Sequence, residues 1–593
     1  MARAQARALK CPCLDSLAMP DGTPAPPRIN FRPMARLLRA SLAFVVAVAC
    51  ARTPVVAPAP SPAPPPARTV ARPVPPVPAV DGPLLIHVQY PSAGQVITSR
   101  DSNFIFGQIG SGKATLRING HPARVYPNGA FLAYVPNPPA SSPRYELVAG
   151  RGADTNRLTL AIAYPPPRDL PPRPAATPRR AAPSATSATK PEELATSRAD
   201  TLAAINARVD SLRTRLSRDE PIGWVQLGIA NPAADTDRVM IGRPVPGGTY
   251  KWFFLPGTVV PLVGYANGAA RVRLDPDLDV YVDSAEARPV PDSLAIERRV
   301  TQNMKVRPSA QGVDLVIPMG QRAPFFVEEG DRSIVLTLYG VRSNTDLVNY
   351  ASADTMVRTV EWTQPTADRA RVVVNLRSAP YGYLVVWEGN ALVLKIRGRP
   401  AVQSAAPLRG LVIAVDPGHP PIGATGPTGL WEPQATLPIG QKLKAILEQR
   451  GARVVMTRTT ADPVDLGARP IIARRANVNA FVSIHLNALP DGINPFVAQG
   501  TGTYFFRQHS EPLARVVQRS LVSQLGLPDL GINYDNLAVV RATWYPAVLC
   551  EGAFLMIPDQ EAALRTPEYQ ERYALGIADG LESYFKALGS SGR

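Results

Sequence analysis

His419 and His485 are two of only five histidines in the chain, and each follows a solid apolar run. LVIAV (411–415) leads into DPGH, AFVSI (480–484) leads into His485, and a third run, PAVLC (546–550), leads into Glu551. In an open parallel sheet the ligand-binding loops gather at the carboxyl ends of the strands. Three strands of this kind therefore aim two imidazoles and a carboxylate at one crevice. A lone histidine past a strand end is more often a hydrogen-bonded structural residue than a ligand, but two of them with carboxylates in matching positions read as a metal site. A catalytic zinc keeps three protein ligands, typically His and carboxylate, and leaves a fourth position open. His419 and His485 supply two ligands, and Glu432, placed by Pro433 at a helix start, completes the set. Glu551 is then free to take a proton from a water that the metal activates. The expected cofactor is Zn2+.

Two other chemistries are weaker. Cys550 could act as a nucleophile with a histidine as base. It alternates with Glu551 along one strand, however, and points away from the crevice if Glu551 points in. GQIGSGKA (107–114) nearly matches a phosphate-binding loop, but Ala114 stands where the magnesium-binding hydroxyl belongs and strands follow it.

The stretches VDPGHPPIGATGPTGLWE (415–432), FVSIHLNA (481–488) and YPAVLCEGAFL (545–555) resemble the three motifs of the zinc-dependent N-acetylmuramoyl-L-alanine amidases of the type-3 class. The resemblance extends from about 411 to 585 and includes GTGTYFF and GIADGLESYF. It implies zinc on His419, Glu432 and His485, Glu551 as catalytic base, and hydrolysis of the amide between N-acetylmuramic acid and L-alanine in peptidoglycan. Asn487 and Arg541 are candidate substrate-orienting residues. Pro420 and Pro421 replace the two glycines of the family pattern, which stiffens that loop and bears on substrate contacts. Some members carry an inserted helix that blocks the zinc. Here only LPDLGINYDN (527–536) fills the interval, so no internal plug is expected. Hydrolysis of another wall amide, or a catalytically degenerate peptidoglycan binder, are the alternatives.

The elements that must position these residues lie in 409–588, where solid apolar strands alternate with helical stretches. The fold class expected is multidomain: a C-terminal α/β catalytic domain with a mainly parallel sheet, preceded by several small all-β domains and Pro-rich linkers. Pro438 interrupts the helical stretch after Glu432, which predicts a helix beginning near Pro438. Upstream, 83–165 shows short alternating strands and resembles an Ig-like sandwich. Residues 166–195 form a second Pro-rich linker, and 196–220 carry a helical apolar stripe from Leu202 to Leu216. Residues 221–290 resemble an SH3-like barrel in which Trp252 and Tyr265 are candidate exposed aromatics. Residues 297–400 hold an internal repeat, APFFVEEGDRSIVLTLYG and APYGYLVVWEGNALVLKIRG, and resemble the AMIN-type domains of some wall amidases, which implies peptidoglycan targeting.

Residues 1–50 end in MARLLRASLAFVVAVAC, an arginine-flanked apolar run before Cys50 that resembles a lipoprotein signal, with Met34 as the expected start. Cys50 is the expected lipidation site, and 51–82 is a Pro-rich tether rising about 3.1 Å per residue. The layout predicts an exported, periplasmic lipoprotein anchored to a membrane, acting on peptidoglycan with wall- or division-associated proteins as possible partners. The 65 prolines among 593 residues fit such spacers. A net charge of +17 would attract an anionic partner, but no Lys/Arg cluster interleaved with aromatics occurs, so no nucleic-acid partner is expected. The remaining cysteines, Cys11 and Cys13, form C-x-C without a second pair, and neither a disulfide framework nor a structural zinc cage follows.

Overall fold

Strand alternation in the C-terminal region builds the frame that holds the candidate residues. In the computed structural model, which describes residues 73–166, 220–228, 239–294 and 299–590, six strands form one sheet: β1 (Val412–Pro417), β2 (Arg453–Met456), β3 (Ala480–Asn487), β4 (Thr501–Phe505), β5 (Asp529–Tyr534) and β6 (Ala547–Phe554). Their order is β2-β1-β3-β6-β4-β5. The β1/β2, β1/β3, β3/β6 and β4/β5 pairs run parallel, and β4 runs antiparallel to β6. Cys50, the stripe from Leu202 to Leu216 and most of both Pro-rich linkers lie outside the described residues.

Helices α1 (Glu432–Gln449), α2 (Ala468–Arg475), α3 (Glu511–Leu525), α4 (Pro558–Leu564) and α5 (Pro567–Ser590) cover the sheet. Because strand side chains alternate, Ile413, Val415, Val482, Ile484 and Cys550 pack on one face with Leu443, Val517 and Ile577 of α1, α3 and α5. Ala414, Phe481, Ala547 and Leu549 pack on the other with Ala473 of α2 and with Tyr545. Burying each of the larger side chains contributes about 1.5–3 kcal/mol. A Cβ at position 580 would lie 2.6 Å from the Val517 Cα, so α3 and α5 cross closely only over glycine.

Two sequence expectations need correction. α1 starts at Glu432 and continues through Pro438. Pro433 occupies the first turn, where no N–H is needed, and burial of Ile439, Gly440, Leu443 and Leu447 holds the remainder despite the donor missing at Pro438. His485 and Glu551 are not past strand ends, since β3 continues to Asn487 and β6 to Phe554.

Residues 87–161 contain seven antiparallel strands around a core that includes Ile105, Phe131, Tyr145 and Leu147. The GQIGSGKA stretch leads from its second strand into a further strand, not a helix. A five-stranded sheet within 223–290, with the pair 240–242 and 252–254 beside it, surrounds Val225, Phe254, Val272 and Val282. Trp252 belongs to that core and is not an exposed aromatic, whereas Tyr265 is exposed. The Trp252 indole packs with Phe254, Val260 and Leu262 in this small core. In 299–400 the first repeat copy pairs 325–330 with 333–339 in a four-stranded sheet, and the second pairs 382–388 with 391–397 in a five-stranded sheet. Both sheets contribute to one core that includes Leu336 and Leu394.

These domains are joined by specific contacts. Arg369 pairs with Asp275 at 2.7 Å, Arg397 donates to the Val478 carbonyl at 2.6 Å, and the Glu329 carboxylate meets Nδ1 of His509 at 3.0 Å. The chain at the first described residues is also engaged: the Pro73 carbonyl accepts from Arg572 at 2.9 Å, and Val74 packs against the core of the C-terminal sheet.

Candidate metal centre

The loop after β1 brings in His419, the first turn of α1 brings in Glu432, and β3 brings in His485. One ligand atom from each falls within 4.8 Å of the others. Glu432 sits between the imidazoles, with Oε2 at 3.2 Å from His419 Nε2 and Oε1 at 3.3 Å from His485 Nδ1. The carboxylate is also fixed from behind, accepting from the Ala424 N–H at 3.0 Å and the Leu486 N–H at 2.9 Å. Burial alone would raise the Glu432 carboxyl, but the two histidines more than offset it and hold it far below the usual carboxylate range. An anionic oxygen pair between two imidazole nitrogens in a half-buried pocket is a donor set for a divalent cation.

Glu551 stands in register with His485 across β3 and β6. Its Oε2 is buried and has no hydrogen-bond partner among the described residues. Burial, with the nearby charge of Glu432, pushes this carboxyl upward. Cys550 lies in the opposite-face core and is fully buried, with burial pushing its thiol up. That environment suits an inert core thiol and not a nucleophile.

A second layer of charge holds the His419 loop. Asp416 accepts from Arg469 at 2.8 Å and Ser483 at 2.6 Å, all three being buried. Arg469 in turn donates to the carbonyls of His419 and Pro420, and Arg458 to those of Pro417, Gly418 and Pro433. These bonds hold His419 in the left-handed region at φ 58°, unusual for a residue with a side chain. Glu561 accepts from the Thr428 and Leu430 N–H groups and sets the turn before Glu432. Sequence reasoning assigned no part to Asp416, Arg458, Arg469 or Glu561. Asp416 was visible within DPGH, but its partners lie 41 to 67 residues away, and no local pattern joins them.

Asn487 ends β3, two residues beyond His485, and its Oδ1 accepts from the Ala488 N–H at 2.8 Å. Arg541 is occupied elsewhere. Its Nε donates to Asn536 Oδ1 at 2.6 Å and its guanidinium lies 4.4 Å from the Tyr250 ring centroid. It lines a cavity of about 1180 Å3 among the three C-terminal domains, to which His419, Glu432, His485 and Glu551 do not contribute. The interval 527–536 contains β5 and no helix.

A model of the N-acetylmuramoyl-L-alanine amidase family matches residues 413–583. The chain is 31% identical over 221 residues to the probable cell wall amidase LytH of Staphylococcus epidermidis, covering 36% of this chain and 71% of that protein. It is 32% identical over 210 residues to the N-acetylmuramoyl-L-alanine amidase LytC of Bacillus subtilis, covering 34% of this chain and 40% of that protein. Among solved structures, the catalytic domain of CwlV, an amidase from Bacillus (Paenibacillus) polymyxa, is 35% identical, with 29% of this chain and 97% of that one covered at a TM-score of 0.28.

Proposed function

This chain belongs to the N-acetylmuramoyl-L-alanine amidase family and hydrolyses an amide bond of peptidoglycan; we propose that it does so with zinc held by His419, Glu432 and His485 and with Glu551 as the proton carrier. The observation that supports this reading most directly is the convergence of the three ligand atoms within 4.8 Å. Two imidazoles and a carboxylate suit zinc and leave a position open for substrate or water. The orphaned Oε2 of Glu551 supports it too, because a buried carboxylate oxygen without a donor is costly unless a proton or cation reaches it.

When bound, zinc supplies Lewis acidity that polarises a carbonyl and makes hydroxide available near neutral pH. Glu432, braced by two backbone N–H groups, keeps both imidazoles aimed at one point. Glu551 accepts the proton of the attacking water and returns it to the leaving nitrogen. The lactyl carbonyl to L-alanine nitrogen bond breaks, leaving a carboxylate on the muramic side and a free amine on the stem peptide. A carboxyl pushed upward by burial suits a group that must accept and release a proton within one turnover.

Asn487 is the better supported substrate-orienting residue, since it shares the strand of His485, whereas Arg541 lines a cavity to which the four candidate residues do not contribute. We assign wall targeting to the AMIN-like domain of 297–400, supported by its duplicated hairpins of 325–339 and 382–397. Lipidation at Cys50 and a periplasmic, membrane-anchored location rest on the signal-like stretch before it. The test is incubation of the chain with purified peptidoglycan, with and without chelator. Release of peptides with a new L-alanine amine, lost on chelation and restored by zinc, is the expected result. Release that survives complete chelation would overturn the zinc assignment.

A further inference from the structure

The loop that continues β3 beyond Asn487, residues 488–500, is gripped by a domain nearly four hundred residues away in sequence. Asp491 accepts from the Thr98 N–H at 2.8 Å, Thr98 Oγ1 at 3.0 Å, Asn103 Nδ2 at 3.4 Å and the Tyr90 hydroxyl. Gly492 is held through both backbone groups: its N–H donates to Asn103 Oδ1 at 3.0 Å and its carbonyl accepts from the Tyr134 hydroxyl at 2.8 Å. Its φ of 85° and the 2.9 Å that would separate a Cβ there from Ser99 Cβ make glycine necessary. Beside this polar cluster, Phe104 and Phe106 share a core with Phe554 and Met556, which follow Glu551 along β6 and beyond it. The far end of the loop is tied separately, since Gln499 bonds Gln560 at 2.8 Å. Between the two ties Ile493, Phe496 and Val497 remain exposed, at 41%, 37% and 79%.

An irregular loop of this length is ordinarily mobile. Here a carboxylate with several donors fixes it in advance, and such preorganisation lowers the entropy cost of binding. The loop continues the strand that carries His485 and leaves the sheet at its carboxyl edge, where the ligand-binding loops of a parallel sheet gather. We propose that Asp491 is a positioning residue for peptidoglycan binding: it fastens the β domain of residues 87–161 to the rim loop, so that Ile493, Phe496 and Val497 form a fixed apolar wall of the cleft for the polymer. The β domain is thereby part of the substrate-binding unit and not a freely tethered module. This rests on the amidase reading of the site.

The test uses the full chain and soluble polymeric peptidoglycan, and compares wild type, Asp491→Ala, the double change Tyr90→Phe/Thr98→Val, and all three together. The double change leaves the catalytic domain sequence intact. The expected result is a KM raised roughly 5- to 10-fold in Asp491→Ala and by less in the double change, which keeps the Thr98 N–H and Asn103 donors, with a smaller change in kcat and a combined variant no worse than Asp491→Ala alone. Amide hydrogen exchange across 493–498 should rise in parallel. Unchanged KM and exchange in both variants, a loss confined to kcat, or additive losses would each overturn the proposal. A wild type that releases no amine removes the amidase reading as well, whereas an active wild type with unchanged variants removes this proposal alone.

Discussion

His485 and Glu551 are register partners across the parallel strands β3 and β6. Their side chains therefore emerge on one face of the sheet from strands roughly 4.8 Å apart, which gives the proposed metal ligand and the proposed proton carrier adjacent places by backbone geometry alone.

Glu551 is expected to act in proton transfer without holding the metal. Glu551→Gln should lower kcat by roughly 10^2 to 10^4 while zinc content per chain stays at the wild-type level. Steady-state kinetics and elemental analysis of the same sample check this, and a parallel loss of zinc would show Glu551 to be a ligand instead.

Zinc should stabilise the fold as well as support turnover. At a hundredfold excess over its Kd, a ligand that binds only the native state adds about 2.7 kcal/mol. Thermal unfolding with zinc and with chelator should show the corresponding shift in wild type and none in His485→Ala.

Cys550→Ala should keep activity within about twofold and retain full chelator sensitivity, with a stability loss of roughly 1 kcal/mol from the small core cavity. Abolished activity in a folded Cys550→Ala protein would revive the nucleophile alternative.

Asp416 and Arg469 are both buried, and their pairing supports the His419 loop. Removing one partner of a buried pair costs about 3–5 kcal/mol. Asp416→Ala should lower the denaturant midpoint accordingly and weaken zinc binding through the displaced loop. A midpoint equal to that of wild type would deny the pair this supporting role.

Glu329 gives the interface of 299–400 with the catalytic domain a pH dependence. Burial would raise this carboxyl, but His509 and Arg507 outweigh it and hold it at about 2, against an ordinary 4.5. A carboxyl depressed in the folded state adds stability that is full above its unfolded pKa and lost as pH falls through its folded one. Stability measured between pH 6 and 2 should therefore fall below about 4.5, and Glu329→Gln should flatten part of that slope.

The amino-acid sequence by itself determined which residues could do chemistry. His419, His485 and Glu551 were legible because solid apolar runs precede them, and Glu432 because Pro433 marks a helix start; hydrophobic periodicity is a local property that each strand or helix carries in its own residues. The start of α1 was misread for the same reason, since Pro438 is a strong local signal that burial of Ile439, Leu443 and Leu447 overrides. Tertiary structure alone decided the bracing of the site. The salt bridge of Asp416 with Arg469, the register of Glu551 with His485, and the grip of Thr98 and Tyr90 on Asp491 join residues 53, 66 and about 400 positions apart. Such contacts leave no periodic trace, because their energy depends on where separately folding segments meet and not on what lies next to each of them in the chain.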